Sequence, residues 1–310
     1  MKKSLSHFII FLSNTSLILA GMLLFSSCED VIDLDIPAGE SQLVVDGWIT
    51  NQPKTQTIRL TQSAPFFDNT PARPVLGASV TVTDDRGKTF VFKDEKNNGT
   101  YLWQPATPRD TLGRIGGTYR LLIKTANEEY SATSRLNRVP RIDSLNFFPD
   151  EVPINPPDGS PRQGFTAEFF ARDPVGVGDC YWIKSYRNDT LFNRTNQIVL
   201  AFDAGFSPGA ATDGLQFILP IRRSITQRFF QENERVRVEI HSIGLEGFFF
   251  LNQVRQESNN AGLFATIPAN IPTNIQNRDP KGRKALGYFG ASAVSSAEVV
   301  IDRKKAKPKP

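Results

Sequence analysis

Short runs of alternating apolar and polar residues recur from Gln42 onward, and this two-residue period constrains the fold more than any other feature. The period sends successive side chains to opposite faces of a strand, so that each run can bury one face. Turn residues separate the runs, and the sequence Asp-Asp-Arg-Gly at 84–87 predicts a tight hairpin. About seven such strands at regular spacing predict an Ig-like β-sandwich over residues 42–140. The runs lie at residues 43–50, 57–61, 78–83, 89–92, 99–103, 117–123 and 130–133.

A second series of alternating runs predicts a second β-rich, sandwich-like domain over residues 141–302. The period changes once, where apolar residues recur every three or four positions and predict a helix over 245–256, packed on the second sheet. The tail at 303–310 is basic and contains Pro, which favours disorder. The second-domain runs lie at residues 142–148, 165–171, 181–186, 198–202, 236–242, 286–291 and 297–301.

The first 27 residues have the layout of a secretory signal, with Lys2 and Lys3 before an apolar stretch. Polar residues at 13–15 interrupt that stretch, which makes it a poor permanent membrane span. The small residues Ser26 and Ser27 before Cys28 resemble a lipobox. We therefore expect cleavage after residue 27 and lipid attachment at Cys28, which would hold the chain on a membrane. A plain signal peptide or an uncleaved anchor is the alternative.

Acidic residues follow directly in the tether at 28–41, namely Glu29, Asp30, Asp33 and Asp35. This stretch resembles the export signal of Bacteroidetes surface lipoproteins. It predicts the outer membrane, with the body facing outward. A generic solvated tether is the alternative.

The charge distribution argues against nucleic acid as a partner. The chain has 36 basic and 32 acidic residues, a formal net charge of +4. Seven of the basic residues lie in the leader and the tail, which leaves 29 basic against 32 acidic residues in the body. The body lacks the clustered Lys and Arg of a nucleic-acid surface. With Cys28 lipidated, Cys180 has no disulfide partner, and its apolar neighbours favour a buried position.

Several stretches together resemble the Bacteroidetes outer-membrane lipoproteins catalogued as domain of unknown function 4249. The resemblance implies a two-part β lipoprotein, often encoded beside a TonB-dependent outer-membrane transporter, and it brings no established catalytic residues. The first part is also similar to carboxypeptidase regulatory-like sandwich domains, through its Gly-Ala-x-Val and Gly-x-Tyr features. The matching stretches are residues 43–51, 77–82, 99–101, 117–119, 139–144 and 286–291.

Candidate catalytic and metal motifs are weak. The sequence Gly-Phe-Ser-Pro-Gly at 205–209 matches a nucleophile elbow, but Pro208 has no N–H to offer an oxyanion hole. His241 is the only His of the mature chain, too few for a typical zinc site, and favours a structural role. Asp84 and Asp158 lie in turn-like sequences without EF-hand spacing. We therefore predict no catalytic residue, no metal and no cofactor.

The preferred hypothesis is a non-enzymatic accessory to a TonB-dependent transporter that helps to capture or position a ligand or substrate. The alternative is an adhesin or glycan-binding module that works alone. Trp48, Trp103, Tyr101 and Tyr181 could then stack on sugars, although such residues in strands more often fill a core. A hydrolase with an unusual site is the third candidate.

Overall fold

The computed structural model describes residues 40–309, except 66, 67, 69, 193, 210, 261–265 and 268. This part of the chain is mainly β with one long packed helix, which confirms the predicted fold class. The helices are α1 (Leu219–Arg223) and α2 (Leu245–Ser258), with single 3-10 turns at Thr195–Gln197 and Arg303–Lys305. The strands are β1 (Leu43–Thr50), β2 (Gln56–Gln62), β3 (Ser79–Asp84), β4 (Thr89–Phe92), β5 (Thr100–Trp103), β6 (Thr118–Lys124), β7 (Glu129–Arg135), β8 (Ile142–Glu151), β9 (Gln163–Ala171), β10 (Cys180–Arg187), β11 (Thr190–Leu191), β12 (Val199–Phe202), β13 (Arg235–Ile243), β14 (Gln276–Asn277), β15 (Ala285–Ser292) and β16 (Val294–Val300).

Two sheets enclose the first hydrophobic core, here called core 1. Sheet 1 has the strand order β15-β1-β2-β5, and sheet 2 has the order β14-β7-β6-β3-β4. The alternation expected from the sequence is visible in β2, which buries Ile58 and Leu60 and exposes Arg59. Core 1 also receives Ile275 and Phe289, which lie within the range 141–302 predicted for the second domain. The chain therefore returns late to the core that its first strands build.

The return is made by β15, which pairs in parallel with β1 along its whole length, from Leu43 opposite Ala285 to Thr50 opposite Ser292. Gly287 lies opposite Val45 in this pair and has φ +88°. A Cβ at this position would lie 1.9 Å from the carbonyl oxygen of Val45. Only glycine fits both the backbone conformation and the space.

Core 2 lies among sheet 3, the β8–β9 hairpin and α1. Sheet 3 has the order β11-β10-β13-β16, and β12 also pairs with β10. Tyr181 and Ile183 of β10 face this core, together with Val238 and Ile240 of β13. Pro149 lies within β8, although its backbone nitrogen carries no hydrogen to donate to a partner strand. A Pro can occupy a strand of a two-stranded hairpin because the outer side of that strand needs no ladder donor.

Helix α2 packs on the opposite face of sheet 3. The predicted helix and its packing on the second sheet are thereby confirmed. It buries Phe248 and Leu251 against Cys180 of β10 and Leu200 of β12. The basic tail, for which the composition predicts disorder, contains regular structure. Its 3-10 turn is followed by Lys307, whose N–H donates to the carbonyl oxygen of Phe147 at 3.0 Å.

Candidate functional site

Aromatic side chains join the outer faces of sheets 1 and 3. Trp48 of β1 meets Trp182 of β10 edge-on, with ring centroids 5.3 Å apart, and stacks on Tyr288 of β15 at 5.3 Å. Phe250 of α2 stacks on the same tyrosine at 5.0 Å. We call these four residues the aromatic seam. Gly290 makes room for it, because a Cβ there would lie 2.2 Å from the indole of Trp48.

A polar row continues from the seam along sheet 3. The Nε2 of buried His241 lies 2.9 Å from Oε2 of buried Glu239. Burial and the nearby positive charge of Lys184 lower the pKa of His241 to about 4. Burial opposes ionisation of Glu239, but its hydrogen bond with His241 and nearby positive charges lower its pKa to about 2. The Nζ of Lys184 lies 3.8 Å from the ring centroid of Trp182. Glu239 also accepts a hydrogen bond from the hydroxyl of Tyr186 at 2.9 Å, so His241 is part of a hydrogen-bond cluster and a structural role fits it.

The four aromatic residues considered for glycan stacking do not form an exposed platform. Tyr101 and Tyr181 are fully buried, in cores 1 and 2 respectively. Trp103 packs against Phe90, and Trp48 belongs to the aromatic seam. Their ring faces are largely occupied by neighbouring side chains, which leaves little surface for a sugar ring.

Large apolar side chains are exposed at one end of core 2. They lie on the loop between β9 and β10 and on the segment after β12. Val175 is 80% exposed, Val177 78%, Phe206 49% and Leu215 49%. We call these four residues the loop tip. The sequence predictions do not include these residues. The pattern Val-Gly-Val-Gly at 175–178 was a usable signal, because valines between glycines in a loop have few neighbouring apolar side chains to pack against.

Carboxylates hold these loops in place through backbone N–H groups. The Oδ1 of Asp203 accepts hydrogen bonds from Gly178 at 2.8 Å and from Asp179 at 3.0 Å. The Oδ1 of Asp213 accepts one from Gly176 at 2.8 Å. Hydrogen bonds to charged acceptors are stronger than neutral ones. The loops that carry the exposed valines are therefore fixed to the segment after β12.

Arg138, just after β7, ties the same loop to the connection between the two cores. Its Nε donates to Oδ2 of Asp179 at 2.8 Å. Its guanidinium also donates to the carbonyl oxygens of Gly176 at 2.9 Å and Pro174 at 3.2 Å. One side chain thus holds both ends of the β9–β10 loop.

Three carboxylates meet beneath the loop tip. Oxygen atoms of Asp173, Asp203 and Asp213 lie within 4.8 Å of one another. Carboxylate oxygens suit a hard divalent cation such as Ca²⁺. Their hydrogen bonds are already directed into the loops, and Asp173 accepts from the hydroxyl of Tyr181 at 2.5 Å and from the N–H of Gly214 at 3.1 Å. Burial raises the pKa of Asp173. These three carboxylates have the chemistry to hold a cation. The sequence predicts no metal-binding residue, and that statement stays a prediction.

The elbow motif lacks the surroundings of a catalytic serine. Residues 205–209 follow β12 as a turn, and the next helix among the described residues is α1, which begins only at Leu219. Asp213 bonds to Gly176, whereas His241 bonds to Glu239, so the two expected partners belong to separate hydrogen-bond clusters. The carboxylate of Asp84 also serves its own turn, because its Oδ1 accepts hydrogen bonds from the N–H groups of Arg86 and Lys88.

Cys28, Glu29, Asp30, Asp33 and Asp35 lie outside the described residues, so lipid attachment and the export signal stay predictions. Among the helices that the structure describes, none has the length and apolar character needed to cross a membrane. Cys180 is buried, as expected, and burial raises the pKa of its thiol to about 12.

The fold and its surfaces define a mainly β protein with two sandwich-like cores, connected by the aromatic seam and by the chain that runs from β15 of sheet 1 into β16 of sheet 3. A family model described as Domain of unknown function (DUF4249) matches residues 29–298. The chain belongs to this family, which confirms the resemblance found in the sequence. No curated protein matches the sequence.

Proposed function

We propose that this protein is a non-enzymatic lipoprotein of the outer-membrane surface, anchored through Cys28, that works beside a TonB-dependent transporter. In this role it helps to capture or position the substrate of the transporter. The leader that ends at Cys28 and the acidic residues after it support the location. The loop tip is the observation that supports a role in binding.

Exposed apolar side chains lower the solubility of a protein, and clusters of them mark interaction sites. The tip is favourable for binding in a second respect, because the carboxylates of Asp203 and Asp213 already fix its loops. A preorganised surface loses less conformational entropy when it binds. The geometry therefore favours a docking role over a catalytic one.

The test is recovery of the full-length lipoprotein from native outer membranes in several mild detergents, followed by mass spectrometry. We expect a TonB-dependent transporter to co-purify with it. The control is Cys28→Ala, which should move the protein out of the membrane fraction and abolish the co-purification. Recovery of the lipidated protein without any transporter would contradict the proposed partner.

A further inference from the structure

We propose that the loop tip inserts into the headgroup zone of a phospholipid bilayer, with Arg172 at the level of the lipid phosphates. This inference rests on the proposed function, and it names the surface that the tip contacts. Such a contact would hold the body against the membrane beside the transporter. Three observations support it, namely the exposed apolar side chains, the internal hydrogen bonds of the loop and the kind of charge that is left exposed.

The apolar side chains of the tip face outward from two adjacent segments. Val175 and Val177 are about four-fifths exposed. Phe206 and Leu215 are about half exposed. The two segments lie side by side, because the N–H of Asp173 donates to the carbonyl oxygen of Leu215 at 2.9 Å. The tip therefore offers a small apolar surface of the kind that enters the boundary between lipid headgroups and acyl chains.

The backbone of the β9–β10 loop receives its hydrogen-bond partners from side chains of the protein itself. The carboxylates of Asp203 and Asp213 accept hydrogen bonds from three N–H groups of the loop. The guanidinium of Arg138 donates to two of its carbonyl oxygens. Water would satisfy such groups in an exposed loop, whereas the acyl chains of a bilayer offer them no partner. The loop is therefore built to leave water at low cost.

The charges that remain exposed at the tip are those of arginines. Asp173 and Asp203 are buried beneath the loops, each 1% exposed. Arg138 is exposed, but its Nε is bonded to the carboxylate of Asp179. Arg172 is exposed, and its guanidinium donates to a carbonyl oxygen in the segment that carries the exposed leucine. A guanidinium can lie along an apolar surface and bind phosphate with several donors, so Arg172 is placed to contact lipid phosphates.

A bilayer fits these observations better than a protein partner or a second copy does. A protein surface brings its own donors and acceptors, so a loop that docks on one does not need its backbone satisfied beforehand. A second copy would bring exposed arginines of like charge to one interface. The bilayer is also close by, because Glu40 lies 12 residues after Cys28, a distance of at most about 43 Å in an extended chain.

The first experiment attaches an environment-sensitive fluorophore to Val177→Cys in the full-length protein. The protein is reconstituted in vesicles of phosphatidylethanolamine and phosphatidylglycerol, without any transporter. Labelling is selective, because Cys180 is buried with a raised thiol pKa and Cys28 is expected to carry lipid. Val91→Cys on β4 is the matched control, since Val91 is also an exposed valine.

We expect spin-labelled lipids to quench the fluorophore about three times as strongly at position 177 as at position 91, with a shift of its emission to shorter wavelength. Equal quenching at the two positions would overturn the inference. Energy transfer between fluorophores at position 177 of two copies would overturn it as well, because it would show that the tips pair with each other.

The second experiment keeps the fluorophore at Leu215→Cys and changes other residues of the tip. Val177→Asp should lower the quenching about twofold or more, because a carboxylate is unfavourable below the headgroups. Arg172→Glu should lower it too, since phosphates repel a carboxylate, whereas Arg172→Lys should retain most of it. Val91→Asp is the control and should change nothing. Quenching that neither Val177→Asp nor Arg172→Glu reduces would contradict insertion of the tip.

Thermal unfolding of each variant separates lost insertion from lost folding. Flotation of the vesicles separates the inference from the proposed function. Protein that floats with the vesicles but shows no quenching at position 177 would keep the anchor and overturn the tip inference. Strong quenching, with no transporter recovered from native membranes, would support the tip inference and contradict the proposed partner. Protein that does not float would contradict the anchor and the inference that rests on it.

Native outer membranes provide the last test, with a photo-reactive amino acid at position 177 of the full-length protein. We expect cross-links to lipid. A cross-link to a protein in place of lipid would overturn the inference.

Discussion

The aromatic seam and the loop tip both carry large apolar side chains, yet the structure uses them in opposite ways. In the seam, the rings of Trp48 and Tyr288 stack on each other and pack against neighbouring aromatic rings. At the tip, Val175 and Val177 contact little of their own chain and are held out by backbone hydrogen bonds to carboxylates. Apolar character alone therefore does not assign a role. Burial makes the seam a determinant of stability, and exposure makes the tip a candidate for binding.

Trp48→Ala should give the largest loss of stability, about 3 to 4 kcal/mol in the free energy of unfolding. The substitution removes the indole that joins sheets 1 and 3 and leaves a cavity beside Tyr288. Urea unfolding measures the effect, with Val91→Ala as the control at an exposed strand position. A loss no greater than in the control would show that the seam does not hold the two cores together.

The polar row beside the seam should make stability depend on pH. The pKa of His241 falls from 6.5 to about 4 on folding. Between pH 6.5 and pH 4, His241 therefore binds a proton in the unfolded chain but not in the folded chain. Stability is therefore full above about pH 6.5 and declines as the pH falls towards 4, by about 3 kcal/mol from this residue. The measurement is urea unfolding at several pH values, compared with His241→Gln. Parallel curves for the two proteins would contradict the depressed pKa.

Gly290→Ala should cost about 2 kcal/mol, because its methyl group overlaps the indole of Trp48. The double variant with Trp48→Ala should lose much less than the sum of the two single effects. A double-mutant cycle by urea unfolding measures this coupling. Additive losses would place the strain elsewhere on β15.

Val177→Asp should have the smallest effect on stability, within about 0.5 kcal/mol, because the side chain is largely in solvent. Thermal and urea unfolding measure it. A loss comparable to that of Trp48→Ala would mean that the tip packs on the body and is not free to dock.

Local structure was largely predictable from the sequence. The strands predicted at 43–50 and 89–92 match β1 and β4, and the helix predicted at 245–256 is α2 at Leu245–Ser258. These segments share a strong period, because one face of each must leave water. The short elements β11, β14 and α1 escaped prediction, since two residues are too few to show an alternation and α1 is little more than one helical turn.

The candidate surfaces were less predictable. Asp173 comes from the loop between β9 and β10, whereas Asp203 and Asp213 come from the segment after β12, and no local spacing relates the three. Trp182 was visible only as part of a strand, and its contact with Trp48 depends on how two sheets meet. The glycines beside Val175 and Val177 could have signalled their exposure, but the residues that lie next to them, such as Leu215, come from another part of the chain.

By itself, the sequence determined which residues form strands, which face of each strand is buried, and the family to which the chain belongs. Those properties depend on the spacing of side chains along the chain, which can be read without coordinates. Only the tertiary structure decided that β15 returns to lie parallel to β1, that aromatic rings join the two cores, and that three carboxylates gather beneath an apolar tip. Such arrangements bring together residues far apart in the chain, and the closure of long loops between them leaves no periodic mark in the sequence.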